Sequence, residues 1–522
     1  MKELLTKYKW HRGKELSCCG YILDGKKHLT GKELEDYFTD RARKNGLVSA
    51  LQITEGRFSL CGKIDNTCVA ACDSLRTYPL FYHLSGNTVL ISDSAYSLLA
   101  ELENPALDKN AVNELLQCGF VLNNKTLVKE IKQIRAGEYL SFEPGLKSYE
   151  YHNFAGYSRD YSSPAESKSK LSGILEEVFA ANLSALKNKT VVLPLSGGYD
   201  SRLIAVMLKK YYSGRVITFT YGSKSNPEFN IAEKVAERLR FEWIPVVYDD
   251  KLTAGYLSDN SFESYYKYSS ELSSIFFFQD YFAVKYLKDN KLIPDDSVFI
   301  PGHTGDVLSG GHLLPGQNRT LSANKISSFL SETYFKYIKP GKIALSETRN
   351  EIRKGLRGGS IPAYRELENW EYKERQAKMI INSASVFSFF GYSWIIPLWD
   401  KRLADFFGRL GFEDKLYSRL YRQVLKEDFF SKYDLNFDKE LKPSASRYRM
   451  QLIKDSIKKC LPSLLVNIFI STNDPYSYRQ ITAMLMQETR SEYRIPLRQD
   501  NYYNARIAQY LAGKTEDLIY SS

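Results

Sequence analysis

Apolar and polar positions follow three successive patterns along the chain. Up to about residue 150, short runs alternate, as in Arg57-Phe58-Ser59-Leu60-Cys61-Gly62 and Val89-Leu90-Ile91-Ser92. That period of two predicts a β-dominated region of half-buried strands. Tyr157 to Pro164 is a polar, Ser-rich connection, and Ser167 to Ala185 then reads as a helix. Beyond it strands and helices alternate, and from about Gln317 the pattern is mainly helical. The expected division is residues 1-155 and 165-522. No repeat or low-complexity segment interrupts it.

The sharpest local signal lies where a strand pattern meets a helix pattern. Thr190-Val191-Val192-Leu193 is a β-branched apolar run, and Leu203 to Leu208 carries the apolar face of a helix that ends near Gly214. Between them stands Leu193-Pro194-Leu195-Ser196-Gly197-Gly198-Tyr199-Asp200-Ser201. Small residues let backbone N–H groups approach an anion at the positive end of the helix dipole, and Ser196 and Ser201 add hydroxyl donors. Asp200 would repel a bare phosphate, so a carboxylate there calls for Mg²⁺ between it and the phosphate oxygens. An ordinary strand-to-helix turn is the bland alternative. The whole string in this context points to a nucleotide, and without GKS or GKT it is no Walker A loop.

Ser-Gly-Gly-x-Asp-Ser resembles the pyrophosphate loop of the ATP pyrophosphatases, and further segments resemble the asparagine synthetase family among them. Gly222 and Glu228 to Leu239 are similar to the strand exit and helix that frame the adenine. Gly302-His303-Thr304-Gly305-Asp306-Val307-Leu308-Ser309-Gly310-Gly311 is similar to the second phosphate and metal loop. The resemblance implies ATP contacts from Leu195, Ser196, Gly197, Gly198, Asp200, Ser201, Gly222, Gly302 and Gly305, and Mg²⁺ held by Asp200 and Asp306. Gly391 to Leu403 resembles G-x-E-x-R-x-P-F-L-D-x-R-L, but Ser393 replaces the glutamate and Ile395 the arginine. His303 stands where relatives carry a glutamate or tyrosine that helps deprotonate the incoming amine. An imidazole with a pKa near neutrality suits that role; a loop histidine that shapes the turn is the alternative. Lys442 stands where the family places a lysine that stabilises the charged transition state, with a surface lysine as the alternative.

In the first region, Asp73 to Tyr82 and Ser92-Asp93 resemble hairpins of the class II glutamine amidotransferases, and Thr126 to Leu140 their closing strand segment. The implied fold is an N-terminal-nucleophile α/β/β/α sandwich, followed by a doubly wound α/β ATP-pyrophosphatase domain with a helical C-terminal part. The family's nucleophilic cysteine directly follows the initiator methionine and uses its own amine as base. Lys2 stands there, and Cys18 or Cys19 inside a strand has no free amine. Asp93 occupies the position that holds the substrate amine, although a turn residue is the simpler reading. The expectation is an inactive glutaminase half.

Composition narrows the partners. The 522 residues carry 72 Lys and Arg against 61 Asp and Glu, a net +11 without any block of like charges, which suits anionic small molecules more than nucleic acid. Seven cysteines without C-x-x-C spacing form neither a disulfide framework nor a zinc site. The start lacks an apolar signal core. The apolar stretches Leu272 to Val284 and Ile380 to Trp399 are broken by Gln279, Asp280, Asn382 and Ser388, so a cytoplasmic protein without a membrane span is expected. The expected activity is ATP-dependent amide formation from a carboxylate and ammonia or an amine. A separate glutaminase and a homodimer are compatible partners. A nucleotide-binding regulatory relative and an adenylating enzyme acting on RNA are the alternatives.

Overall fold

The computed structural model describes residues 1–25, 27–86, 88–142, 145–154, 163–338, 342–437, 474–498 and 503–520. Two sheets build the N-terminal region. One has the strand order Lys2–Leu4, Thr88–Ser92, Phe81–Ser85, Lys132–Gln133. The other runs Lys147–Glu150, Glu138–Ser141, Thr67–Cys72, Glu55–Ile64, Leu16–Asp24, Trp10–Arg12, with Lys27–Thr30 also paired to Leu16–Asp24. Alternation explains the layers. Cys61, Ala70 and Cys72 of the larger sheet meet Tyr82, Val89 and Ile91 of the smaller in one buried cluster. Leu16, Ile22, Phe58 and Leu60 point the other way, onto Leu34, Phe38 and Leu51 of helices Lys32–Asn45 and Leu47–Ile53. Helices Ala95–Leu99 and Lys109–Cys118 cover the smaller sheet, completing an α/β/β/α sandwich.

The third sheet is wholly parallel, ordered Glu242–Val247, Val216–Gly222, Val191–Pro194, Val298–Phe299, Ser393–Trp394. Val191, Val192 and Leu193 are fully buried in its centre, as expected of a parallel strand covered on both faces. Helix Pro164–Ser184 starts with Ser163 capping the Glu166 amide, and helices Tyr199–Tyr211 and Glu228–Leu239 follow the first and second strands. The order of the sheet reverses beside Val191–Pro194, which places a crevice at the carboxyl ends of the central strands. Beyond residue 317 the described elements are helical apart from Ser393–Trp394. No helix among the described residues is long and apolar enough to cross a membrane.

The two regions share buried polar contacts. Arg76, fully buried with φ +55°, donates to the carbonyls of Ile134 and of Ala377. Arg135 pairs with Glu374 at 2.9 Å, and Lys378 donates to the carbonyls of Val121 and Asn123 and to Glu374. These contacts hold the π-helical segment Glu371–Ile380, which continues helix Ala363–Trp370 and leads into the wall of the crevice.

Candidate active site

The Ser-Gly-Gly turn is organised by its own hydroxyls. The Ser196 Oγ accepts from the Gly198 amide at 3.1 Å and lies 3.0 Å from Ser201 Oγ, which accepts from the Ser196 amide at 3.2 Å. This network sets the loop at the start of helix Tyr199–Tyr211, whose first-turn residues Tyr199, Asp200 and Ser201 line a cavity of about 270 Å³ with Ser196, Gly198, Gly302, Asp306, Ser418, Tyr421 and Arg422. Amides of a helix first turn and an arginine make that space favourable for an anion. Arg202, buried behind the loop, donates to the carbonyls of Gly197 and Leu435 and so ties the loop to the helical part.

The second loop closes tightly against the first. A Cβ on Gly302 would lie 2.9 Å from the Ser201 amide nitrogen, and one on Gly305 would lie 2.5 Å from Asp200 Oδ1. Only glycine permits that approach. The Asp306 amide donates to Asp200 Oδ2 at 3.2 Å and the Tyr421 hydroxyl to Asp200 Oδ1 at 2.9 Å. Burial, then the nearby charge of Asp306, pushes Asp200 up to about 7. Partial desolvation raises Asp306 too, although its carboxylate stays open at the cavity rim. Two neighbouring carboxylates that resist joint ionisation are a donor set a divalent cation relieves. Two carboxylate ligands completed by phosphate oxygens match the way Mg²⁺ is held.

A second cavity, of about 310 Å³, adjoins the first through Ser196, Ser201 and Gly302. Its wall includes Leu195, Tyr221, Glu228 and Tyr476 together with Asp280, His303, Ile380 and Ser383. Glu228 accepts from the Tyr476 hydroxyl at 3.0 Å. The Ser383 hydroxyl donates to the Ile380 carbonyl at 2.6 Å, so His303 Nε2–H, 3.3 Å away, donates to Ser383 and Nδ1 is left as the acceptor. Desolvation lowers His303 to about 4. This corrects the expectation of a pKa near neutrality: the imidazole is neutral and a weaker base than its loop position suggested.

The structure brings Leu195, Ser196, Gly198, Asp200, Ser201, Gly302, His303 and Asp306 to the two cavities, with Gly197 and Gly305 packed behind them. Gly222 is placed otherwise. Its φ is +136°, a Cβ there would meet the Pro475 carbonyl at 2.4 Å, and the residue lines neither cavity. The returning segment Asp474–Ser477 covers the strand end and inserts Tyr476 in its place. Lys442 lies outside the described residues. Tyr421, Arg422, Tyr476, Asp280 and Ser383 were not anticipated, because they arrive from elements remote in sequence. A signal existed for Asp280, the charge that breaks an apolar run.

In the N-terminal region the corresponding carboxylate is taken up by its own chain. Asp93, fully buried, accepts from the amides of Thr6, Lys7 and Tyr8 at 2.9 Å each and from Trp10 Nε1 at 2.8 Å. Lys7 then continues across to Glu271 at 2.9 Å. Cys18 and Cys19 are buried in their strand, and burial pushes both thiols well up.

Comparison with known proteins matches the asparagine synthase family model to residues 175–431 and the glutamine amidotransferase domain model to residues 41–153. The asparagine synthetase [glutamine-hydrolyzing] 1 of Bacillus subtilis (strain 168) is 23% identical over 197 residues, 36% of this chain and 30% of that protein's length. The NH3-dependent NAD synthetase of Campylobacter jejuni is 17% identical, covering 29% of this chain and 62% of that one at a TM-score of 0.19. The glutamine phosphoribosylpyrophosphate amidotransferase of Bacillus subtilis is 10% identical, covering 47% and 73% at a TM-score of 0.20. The fold rests on this chain's own sheet order. An amidotransferase-type sandwich followed by a parallel sheet bearing the Ser196–Ser201 loop, with both family models matched in that order, shows that the chain belongs to the asparagine synthetase family.

Proposed function

We propose that the chain is an asparagine synthase-like ATP-dependent amide-forming ligase, with residues 1–155 as its amidotransferase-like half and 165–522 as its synthetase half. The observation that carries this reading is the juxtaposition of the Ser196–Ser201 loop with Asp200 and Asp306 around one cavity open to a second. A carboxylate resists amide formation because its leaving oxygen is basic. Attack of that carboxylate on the α-phosphorus of ATP forms an acyl adenylate and releases pyrophosphate. Ammonia or an amine then attacks the acyl carbon and expels AMP.

The chain's residues divide this work between the cavities. Backbone amides of the loop and Arg422 receive the pyrophosphate end, while Asp200 and Asp306 hold Mg²⁺, which would supply charge neutralisation on the phosphate oxygens. Leu195, Tyr221 and Tyr476 enclose the adenosine. His303 Nδ1 receives a proton from the attacking nitrogen, whose acidity rises as its bond to carbon forms. With Asp93 saturated and the Cys18 and Cys19 thiols buried, the amidotransferase-like half supplies no glutaminase, so the nitrogen comes from free ammonia or an amine.

Pyrophosphate release from ATP and Mg²⁺ across a panel of carboxylates, each with ammonia and with primary amines, tests the reading. Release that requires one acceptor class supports it. A protein that binds ATP but releases pyrophosphate with none of them would be a nucleotide-binding relative instead.

A further inference from the structure

Thr304 holds a conformation that a β-branched residue rarely takes. Its φ is +80°, in the left-handed region, where a Cβ crowds the backbone. It is also the turn between His303, which lines the second cavity, and Asp306, which lines the first. Such strain persists only where surrounding contacts over-determine it. Thr304 is buried, and its hydroxyl donates to Gln376 Oε1 at 3.4 Å. The Gln376 amide is itself oriented: its Nε2 donates to Glu371 Oε1 at 3.0 Å, which leaves Oε1 turned to Thr304. Both residues lie on the ten-residue π-helical segment Glu371–Ile380, and the same stretch runs on to Ser383, the partner of His303. π-helical turns are rare and recur at functional sites. The N-terminal region grips this one from behind. Glu374, buried, accepts from the Asn123 amide and from Arg135 at 2.9 Å each, and Lys378, also buried, donates to the Asn123 carbonyl at 2.6 Å.

We propose that Gln376 is a positioning residue through which the amidotransferase-like half sets the second loop, holding Thr304 left-handed so that Asp306 is presented at the phosphate cavity. This rests on the ligase reading for the role of Asp306, but not for the coupling of Gln376 to the loop. On that reading the N-terminal half hydrolyses no glutamine, and the grip on Glu371–Ile380 gives it a different task. The proposal has a specific consequence. Glycine adopts the left-handed region without a Cβ penalty, so Thr304→Gly should make Gln376 dispensable.

The test measures the affinity of the full chain for a fluorescent ATP analogue with Mg²⁺, beside unfolding in urea and pyrophosphate release. Gln376→Ala should bind the analogue roughly tenfold more weakly, the scale of one left-handed residue's cost, while unfolding stays cooperative. Thr304→Ala removes the same bond from the loop side and should show the same loss, which keeps the test open if Gln376→Ala does not fold. Thr304→Ser keeps the hydroxyl and sheds the branch, so it should bind as the wild type does. Thr304→Gly should bind nearly as well, and adding Gln376→Ala to it should cost no further affinity. Arg135→Ala, at the sandwich end of the contacts, should weaken binding by a smaller factor and only while Thr304 is present. Wild-type affinity in both Gln376→Ala and Thr304→Ala would overturn the proposal. So would a loss in Gln376→Ala that persists beside Thr304→Gly, or an Arg135→Ala variant altered in urea stability alone. If no acid supports pyrophosphate release while the affinity pattern holds, the ligase reading fails and the positioning role stands. If release proceeds and Gln376→Ala and Thr304→Ala bind normally, the ligase reading stands and the positioning role fails.

Discussion

Asp93, just past strand Thr88–Ser92 of the N-terminal sandwich, and Asp200, in the first turn of helix Tyr199–Tyr211 of the parallel-sheet region, are both enclosed carboxylates, yet the chain treats them in opposite ways. Asp93 receives four donors from residues Thr6 to Trp10, so its hydrogen-bonding capacity is filled from within. Asp200 receives one hydroxyl and amides of the adjoining loop, faces Asp306, and is pushed up to about 7. A carboxylate completed by its own chain is part of the architecture. One left incomplete beside a cavity awaits a ligand.

The comparison breaks most visibly at the metal pair. Asp200→Asn and Asp306→Asn should each lower pyrophosphate release by about 10² or more, with circular dichroism unchanged, because both remove charge needed only when phosphate is bound. Full activity in either variant would remove the distinction. His303→Ala should preserve exchange of labelled pyrophosphate into ATP while amide formation falls by roughly 10², the low end for a proton acceptor held at so low a pKa. The sign of its pH dependence follows from that shift. The native imidazole stays neutral down to about 4, so the wild-type amide-forming rate should show no falling limb from His303 above about pH 5.

Asp93→Ala should act in the opposite sense. Four donors lose their acceptor, so stability in urea should drop by roughly 3 kcal/mol while pyrophosphate release per folded molecule stays unchanged. A catalytic defect without a stability defect would mean that Asp93 serves a ligand after all. Tyr421→Phe removes one hydrogen bond to Asp200, and a loss of roughly fivefold in pyrophosphate release is expected, with little change in stability. The smallest effect sharpens the contrast by its absence: incubation with glutamine should produce no glutamate above the background of a Cys18→Ala, Cys19→Ala double variant.

Local pattern alone determined a great deal of this protein. The strand into Pro194, the helix over Glu228–Leu239 and the Ser196–Ser201 loop are readable because each follows from periodicity and turn chemistry within about a dozen residues. Contacts across the chain were not readable. Gly222 resembles a nucleotide contact in sequence, but Pro475, more than 250 positions later, packs onto it. Asp280 reads as a polar break in an apolar run, and only the packing of helix Gln279–Asp289 against strand Val216–Gly222 brings it to a cavity. The residue type at 303 was evident, but its basicity was not, because desolvation is a property of everything packed around a group. Sequence determines which groups are available for chemistry. Tertiary structure decides which of them are completed by the chain and which are left for a ligand, because hydrogen-bond partners and water exclusion come from residues distant in sequence.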